Sequence, residues 1–222
     1  MLIDLNIEGQ LILLVGAGRE AARKVLGLVD QDADIVVVSQ NFEEQFNEWE
    51  RQGEMRLIHK TISDGTIIHD FEYLYMVMAL TDDRELNRSI VQAAKKSARF
   101  VYSVDDPEHS DFSHPALVET RPPIRMAIST SGQSPIMARH LRERAEAMID
   151  LLIRDEDYLQ IKLQAKMRET IQSVLPTPEL RKQFLMQILD DPIIGERLKE
   201  NHFDQAEAMV MQRLKDFQLK NI

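Results

Sequence analysis

The chain contains no cysteine, which excludes disulfides, thiolate metal sites and a cysteine nucleophile together. None of its six histidines stands at a metal-ligand spacing such as H-x-x-x-H, so no resident metal is expected. Lysine and arginine are outnumbered, 27 against 37 acids, for a formal net charge of −10, and a broad nucleic-acid surface is therefore not expected. Nowhere do about 18 apolar residues run together. The first ten residues, MLIDLNIEGQ, carry acids where a secretory signal carries bases. No membrane span is expected, and the chain reads as soluble and cytoplasmic. No fixed-period repeat is visible. What is present is 222 residues, 44% of them hydrophobic, enough for one core with an appendage or for two small domains.

The most informative stretch is LILLVGAGREAARK, residues 11–24. Apolar residues from Leu11 to Val15 run into Gly16-Ala17-Gly18. From Arg19 to Val29 the apolar positions then take a helical period. The pattern is buried strand, tight turn, helix. Gly16 lets the chain turn sharply, Gly18 lets backbone approach a ligand, and Ala21 fills the small third position of the G-x-G-x-x-G/A spacing. The helix start offers N–H groups and a positive dipole end to a pyrophosphate. A bare G-x-G-x-x-A recurs by chance, but this one follows an apolar strand and opens a helix, the context a dinucleotide site requires.

Further strands are expected at Asp34–Ser39, Met55–His59, Tyr73–Leu80 and Phe100–Val104, with helices at Phe42–Arg51 and Asp83–Lys96. Polar clusters follow these strands: Gly16 to Glu20, Ser39-Gln40-Asn41, Thr81-Asp82-Asp83 and Asp105-Asp106. In an open parallel sheet ligands bind at that edge. The second strand ends without the acid that takes ribose hydroxyls in the NAD fingerprint, so NAD and NADP both stay open on this criterion. After Pro107 the pattern changes. Two short strands, Ser113–Glu119 and Ile124–Ser129, flank Thr120-Arg121-Pro122-Pro123. The hydroxyl-rich loop Ser129-Thr130-Ser131-Gly132-Gln133-Ser134 leads into a helix Pro135–Arg154 with Ser134 as N-cap. From Tyr158 the chain reads as helices, separated at Pro176-Thr177-Pro178 and at Pro192. The expected fold is α/β: a Rossmann-like parallel sheet over 1–110, a small α+β dimerisation segment over 111–150 and an all-helical region over 151–222. Two short strands and one helix are too little for an independent core, which points to a homodimer.

Several residues could carry chemistry. Asp105 and Asp106 sit at the expected sheet edge, and neighbouring side chains on an extended chain point opposite ways, so one functional and one structural carboxylate is the first reading. A plain Asp-Asp-Pro turn is the other. His109 and His114 lie close to Asp105 in sequence and are candidates to act with it, or are surface histidines. The loop 129–134 suits carboxylates or a phosphate at a helix start, or is a capped helix and nothing more. Arg139, Arg142 and Arg144 form either an anion-binding face or an ordinary solvated one.

These residues together resemble a known family. LILLVGAGREAARK at 11–24, ALTDDRELN at 79–87, SVDDP at 103–107, DFSHPALVE at 111–119, MAISTSGQSPIMARHLRERAE at 126–146 and ELRKQFLMQILDD at 179–191 are similar to precorrin-2 dehydrogenase, the bifunctional dehydrogenase and sirohydrochlorin ferrochelatase module of siroheme synthases. The resemblance implies oxidation of precorrin-2 to sirohydrochlorin with NAD as hydride acceptor, Fe(II) insertion in many members, and an intertwined homodimer. It places the catalytic aspartate at Asp105. Nucleotide contacts fall on Gly16, Ala17, Gly18, Arg19 and Glu20, on Ser39, Gln40 and Asn41, and on Thr81 and Asp82. The expected substrate contacts are His114, Ser129, Thr130, Ser131, Gly132, Ser134, Arg139 and Arg142. A serine that some members phosphorylate falls on Thr130, so the modification is not carried over. Tyr102-Ser103 stands where many members have Asn-Val, which enlarges a side chain expected to face the pocket. The competing reading is a non-catalytic NAD-sensing module acting through its helical tail. In that case Asp105 would be dispensable.

Overall fold

In a computed structural model of the chain, which describes residues 2–29 and 31–221, two compact units are present, Met1–His114 and Pro115–Ile222. The first unit alternates strands with helices in the order β1 (Leu11–Val15), α1 (Arg19–Val25), β2 (Asp34–Ser39), α2 (Glu44–Gln52), β3 (Arg56–His59), a 3₁₀ turn (Gly65–Asp70), β4 (Met76–Ala79), α3 (Arg84–Ala94) and β5 (Phe100–Ser103). The five strands form one parallel sheet in the order β3-β2-β1-β4-β5. Strand β1 lies at its centre, with Leu13 beside Val36 on one flank and Val77 on the other.

The side-chain period of two splits each apolar run between the two faces of the sheet. Ile12, Leu14, Ile35, Val37, Met76 and Met78 pack with Val25, Phe46 and Trp49 of α1 and α2. Leu13, Val15, Val36, Val38, Val77 and Val101 pack with Ile67, Ile68, Ile90 and Val91 on the other side. Covering both faces is what an all-parallel sheet requires, and it explains strands that are apolar throughout. The open flank of β5 is closed by the chain itself: the Asp111 amide donates to the Val101 carbonyl (2.8 Å), and the Val101 amide donates to the Asp111 carboxylate (2.8 Å). Such pairing blunts an edge strand.

The differences from the sequence reading are local. The first helix stops at Val25 instead of Val29, closing with a tight bond from the Leu28 amide to the Val25 carbonyl. The strand expected from Tyr73 begins at Met76, because Tyr73 takes a left-handed conformation (φ 57°) that turns the chain just before it. No element was expected between β3 and β4. A 3₁₀ turn stands there, capped by Asp64, whose side chain accepts from the Thr66 amide at 2.8 Å.

The second unit opens with an antiparallel hairpin, β6 (Ala116–Val118) with β7 (Met126–Ile128). Helix α4 (Pro135–Glu146) packs on this hairpin. The single helix expected over Pro135–Arg154 breaks after Glu146 and resumes as a short α5 (Ile149–Leu152). No glycine or proline announces the break. Helices α6 (Asp155–Val174), α7 (Pro178–Leu189), α8 (Pro192–Lys199) and α9 (Phe203–Asn221) share one core of Leu163, Met167, Phe184, Ile188, Ile194 and Leu214. Thr177 and Asp191 cap α7 and α8, each followed by proline at the first helical position. Among the described residues no helix is long and apolar enough to cross a membrane.

Candidate active site

The strand order reverses between β1 and β4, so a crevice is expected outside their carboxyl ends. Gly16 lies there with φ 105°, its amide donating to the Val38 carbonyl at 2.9 Å. A Cβ at Gly16 would stand 2.6 Å from both the carbonyl carbon and oxygen of Leu80. Gly16 is thus required by the protein itself. Gly18 differs: it caps α1 with ordinary extended backbone (φ −81°), and a Cβ there would meet nothing within 4 Å. Among the described residues no side chain caps α1, so its first N–H groups lack the kind of partner that Asp83 supplies to α3. An open cradle and uncapped amides fit a pyrophosphate.

Ala17 is buried, and its carbonyl accepts from the Glu43 amide at 3.0 Å. The Arg19 guanidinium is almost wholly exposed and stands 3.6 Å from the Glu43 carboxylate. Glu20 pairs with Arg23 (2.6 Å) and Lys24 (3.8 Å) on its own helix. At the end of β2 the Ser39 hydroxyl donates to the Asn41 carbonyl (2.7 Å), and Gln40 and Asn41 are exposed.

Beyond β4 and β5 lies a connected polar group. Asn87, on α3, is fully buried on a helix face otherwise made by Ile90, Val91 and Ala94. Its side-chain oxygen accepts from the Thr81 amide (3.1 Å) and the Thr81 hydroxyl (2.7 Å). Its side-chain nitrogen donates to the Thr81 carbonyl (2.9 Å) and to Oδ1 of Asp105 (3.0 Å). The Ser103 hydroxyl, also buried, donates to the same Oδ1 at 2.7 Å. Oδ2 of Asp105 faces the Arg84 Nε at 3.7 Å. Asp82, in the loop between, is exposed. Asn87 was missed as a site residue in the sequence; its only signal there was one amide on an apolar helical face.

Asp106 turns elsewhere. Its carboxylate meets the His109 Nδ1 at 2.9 and 3.0 Å, and this bond holds Asp106 below the usual carboxylate range. His109 is therefore engaged with Asp106. The His114 ring packs edge-on against Tyr102 (4.7 Å between centroids) and against Phe112, and its Nε2 is buried with no hydrogen-bond partner among the described residues. Burial, reinforced by the nearby Lys24 and Arg23 charges, pushes His114 down to about 4. Tyr102, expected to face a pocket, is 7% exposed and stacks on Phe112 at 5.3 Å. It is a core residue, because alternation along β5 sends it to the α1 face of the sheet.

In the second unit the Thr130 hydroxyl bridges its own loop, donating to the Ser134 carbonyl (3.0 Å) and accepting from the Ser134 amide (3.1 Å). The Ser129 hydroxyl accepts from the Ser131 amide, and Ser131 and Gly132 both take positive φ. Ser134 caps α4 through the Met137 amide. Arg139 is paired with Glu143 (2.8 Å) and Arg142 with Glu146 (2.7 Å), each one turn away. Glu146 also accepts from the Glu119 amide of the hairpin at 3.1 Å.

A parallel sheet of this order, with a glycine turn opening a helix at its switch point, defines a dinucleotide-binding α/β domain. Residues 3–116, just over half of the chain, match the family described as putative NAD(P)-binding. Residues 161–214 match the sirohaem synthase dimerisation region, C-terminal to the 111–150 segment assigned that role from sequence. The chain belongs to this NAD(P)-binding family. It is 32% identical to a siroheme synthase of Methylococcus capsulatus over 95% of this chain and 42% of that one. Against a siroheme synthase of Nitrosococcus oceani it is 37% identical over 66% of this chain and 30% of that one. The chain thus spans about two fifths or less of the length of these relatives. The solved structure titled "SirC, precorrin-2 dehydrogenase" superposes with a TM-score of 0.69 at 20% identity, covering 97% of this chain and 99% of that one, and so shares the fold.

Proposed function

We propose that this chain is an NAD-dependent precorrin-2 dehydrogenase, producing sirohydrochlorin for siroheme synthesis, and that Asp105 is its proton acceptor. The observation that carries the reading is the setting of Asp105 at the carboxyl edge of β5, with Oδ1 held by two donors and Oδ2 left toward Arg84. The substrate is inferred from likeness, to siroheme synthases in sequence and to a precorrin-2 dehydrogenase in fold. Dehydrogenation removes a hydride and a proton. Bound NAD supplies the hydride acceptor. Uncapped amides of α1 and the open space at Gly18 would hold its pyrophosphate, and Gln40, Asn41, Thr81 and Asp82 would make its further contacts. Asp105 Oδ2 takes the proton as general base. Chelation requires loss of two pyrrole N–H protons as Fe(II) enters as a substrate, a task for the same carboxylate. Within the second unit taken by itself, the loop Ser129–Ser134 and Arg139, whose Glu143 partner another carboxylate can replace, are the proposed anion-binding residues.

We further assign the working form to a homodimer built through the second unit, from which Ile136, Met148, Leu151 and Leu152 present apolar side chains more than half exposed. Residues 1–110 serve nucleotide binding, and the dimerisation role read for 111–150 is extended to the helical region 151–222, of which residues 161–214 match the sirohaem synthase dimerisation region. The cytoplasm, where NAD is held, is the assigned compartment. The decisive experiment is an anaerobic assay of purified protein with precorrin-2 and NAD, followed by absorbance. NAD-dependent formation of sirohydrochlorin is expected; its absence overturns the reading. A second arm adds Fe(II) after oxidation and compares siroheme formation with a protein-free control.

A further inference from the structure

We propose that Asn87 is a positioning residue that locks the Asp105 carboxylate to the loop following β4, so that the proton acceptor and the nucleotide-facing loop are held as one unit. This inference rests on the assignment of Asp105 as proton acceptor. A side-chain amide has two donors and an acceptor oxygen with two lone pairs. In Asn87 all four positions are used, three on Thr81 and the fourth on Asp105. Because the oxygen meets an N–H and a hydroxyl while the nitrogen meets a carbonyl and a carboxylate, the amide has only one orientation that satisfies its neighbours. Closing the loop after β4 needs just the three bonds to Thr81. The fourth leaves that loop and reaches 18 residues along the chain to the end of β5.

The consequence is geometric. Asn87 and Ser103 both donate to Oδ1, which fixes the plane of the carboxylate and makes Oδ2 the oxygen that faces outward. Asn87 cannot drift, being fully buried on the α3 face that packs against the sheet. A carboxylate held by two buried donors loses little freedom when it meets a substrate proton. Displacing one donor lets the acid rotate, and a misplaced base is costly in rate even when binding is intact. Asn87 itself touches neither substrate nor nucleotide in this scheme. It acts through Asp105 and through Thr81.

Two variants separate these roles. Asn87→Asp is nearly isosteric and keeps an acceptor toward the Thr81 amide and hydroxyl, but sets a carboxyl oxygen against Oδ1 of Asp105. Asn87→Ser shortens the side chain, so that it no longer reaches Asp105 or Thr81, without adding charge. Each is made alone and with Asp105→Asn, and kcat, KM for precorrin-2 and NAD affinity by calorimetry are measured from about pH 6 to 9. Asn87→Asp is expected to lower kcat about 10-fold or more with NAD affinity within about threefold, the loss deepening as pH rises and the new carboxyl ionises. In the Asp105→Asn background either substitution should lower kcat no further, since a residue acting through another has nothing left to act on. Equal losses in both backgrounds, or an unchanged kcat in a folded Asn87→Asp protein, overturn the inference while leaving the dehydrogenase reading in place. A wild-type protein that fails to oxidise precorrin-2 overturns both, whereas full turnover by Asp105→Asn overturns this inference and the role of Asp105 while leaving the dehydrogenase reading in place. Should Asn87→Ser fail to fold, the isosteric Asn87→Asp carries the test alone.

Discussion

Gly16 and the Leu80 carbonyl lie so close that no side chain fits between them: a Cβ on Gly16 would stand 2.6 Å from the carbonyl oxygen. With φ at 105° the backbone at Gly16 also disfavours any L side chain. The two glycines of the turn therefore have different duties. Gly16→Ala should destabilise the first unit by about 1–3 kcal/mol through backbone strain and lower its melting temperature in the absence of nucleotide. Gly18→Val should cost about 1 kcal/mol, yet abolish NAD binding measured by calorimetry, because its side chain would fill the open space proposed for the pyrophosphate. A folded Gly18→Val protein with unchanged NAD affinity would remove this turn from the nucleotide site.

The two neighbouring aspartates should respond unequally. Asp105→Asn keeps the shape of the side chain while removing the base, and is expected to lower dehydrogenation ~10²-fold or more with NAD binding retained. Asp106→Asn breaks only the bond to His109 and should leave turnover within about threefold, as expected for a surface pair. Steady-state kinetics under anaerobic conditions distinguish these outcomes.

His114 should make the protein acid-sensitive. Its folded value, about 4, lies below the ordinary value of about 6.5, so the unfolded chain binds the proton more readily. Stability is then fully present above about pH 6.5 and is lost as pH falls toward 4. By pH 5 the loss is about 2 kcal/mol. In His114→Phe, which keeps a ring against Tyr102 and Phe112, the drop in stability between pH 7 and pH 5 should shrink by about that amount, as read by urea denaturation. An unchanged drop would show that His114 does not stay neutral in the fold.

The second unit carries the test of assembly. Ile136 is 81% and Leu151 78% exposed, and burying each side chain in a partner is worth about 1.5–3 kcal/mol. The protein should sediment as a dimer at micromolar concentration, and Ile136→Asp combined with Leu151→Asp should yield a monomer with unchanged helical circular dichroism. A dimer that survives both changes would place the interface elsewhere.

What the sequence alone determined is short in range. The apolar runs at 11–15, 34–39 and 100–104, the glycine pair behind the first of them and the prolines that open α7 and α8 are each legible from neighbours within a few residues. Local sterics and hydrophobic period act over that distance. Asp105 was readable as a candidate because it follows a strand. The tertiary structure decided what these residues touch. That Gly16 abuts Leu80, that Asn87 joins Thr81 to Asp105, that His109 pairs with Asp106 and that Arg139 and Arg142 are met by glutamates all depend on register and on helix placement. So does the burial of Tyr102, which rests on which face of the sheet α1 covers. Those relations are set by packing between elements distant in sequence, where one step of register exchanges the two faces of a strand.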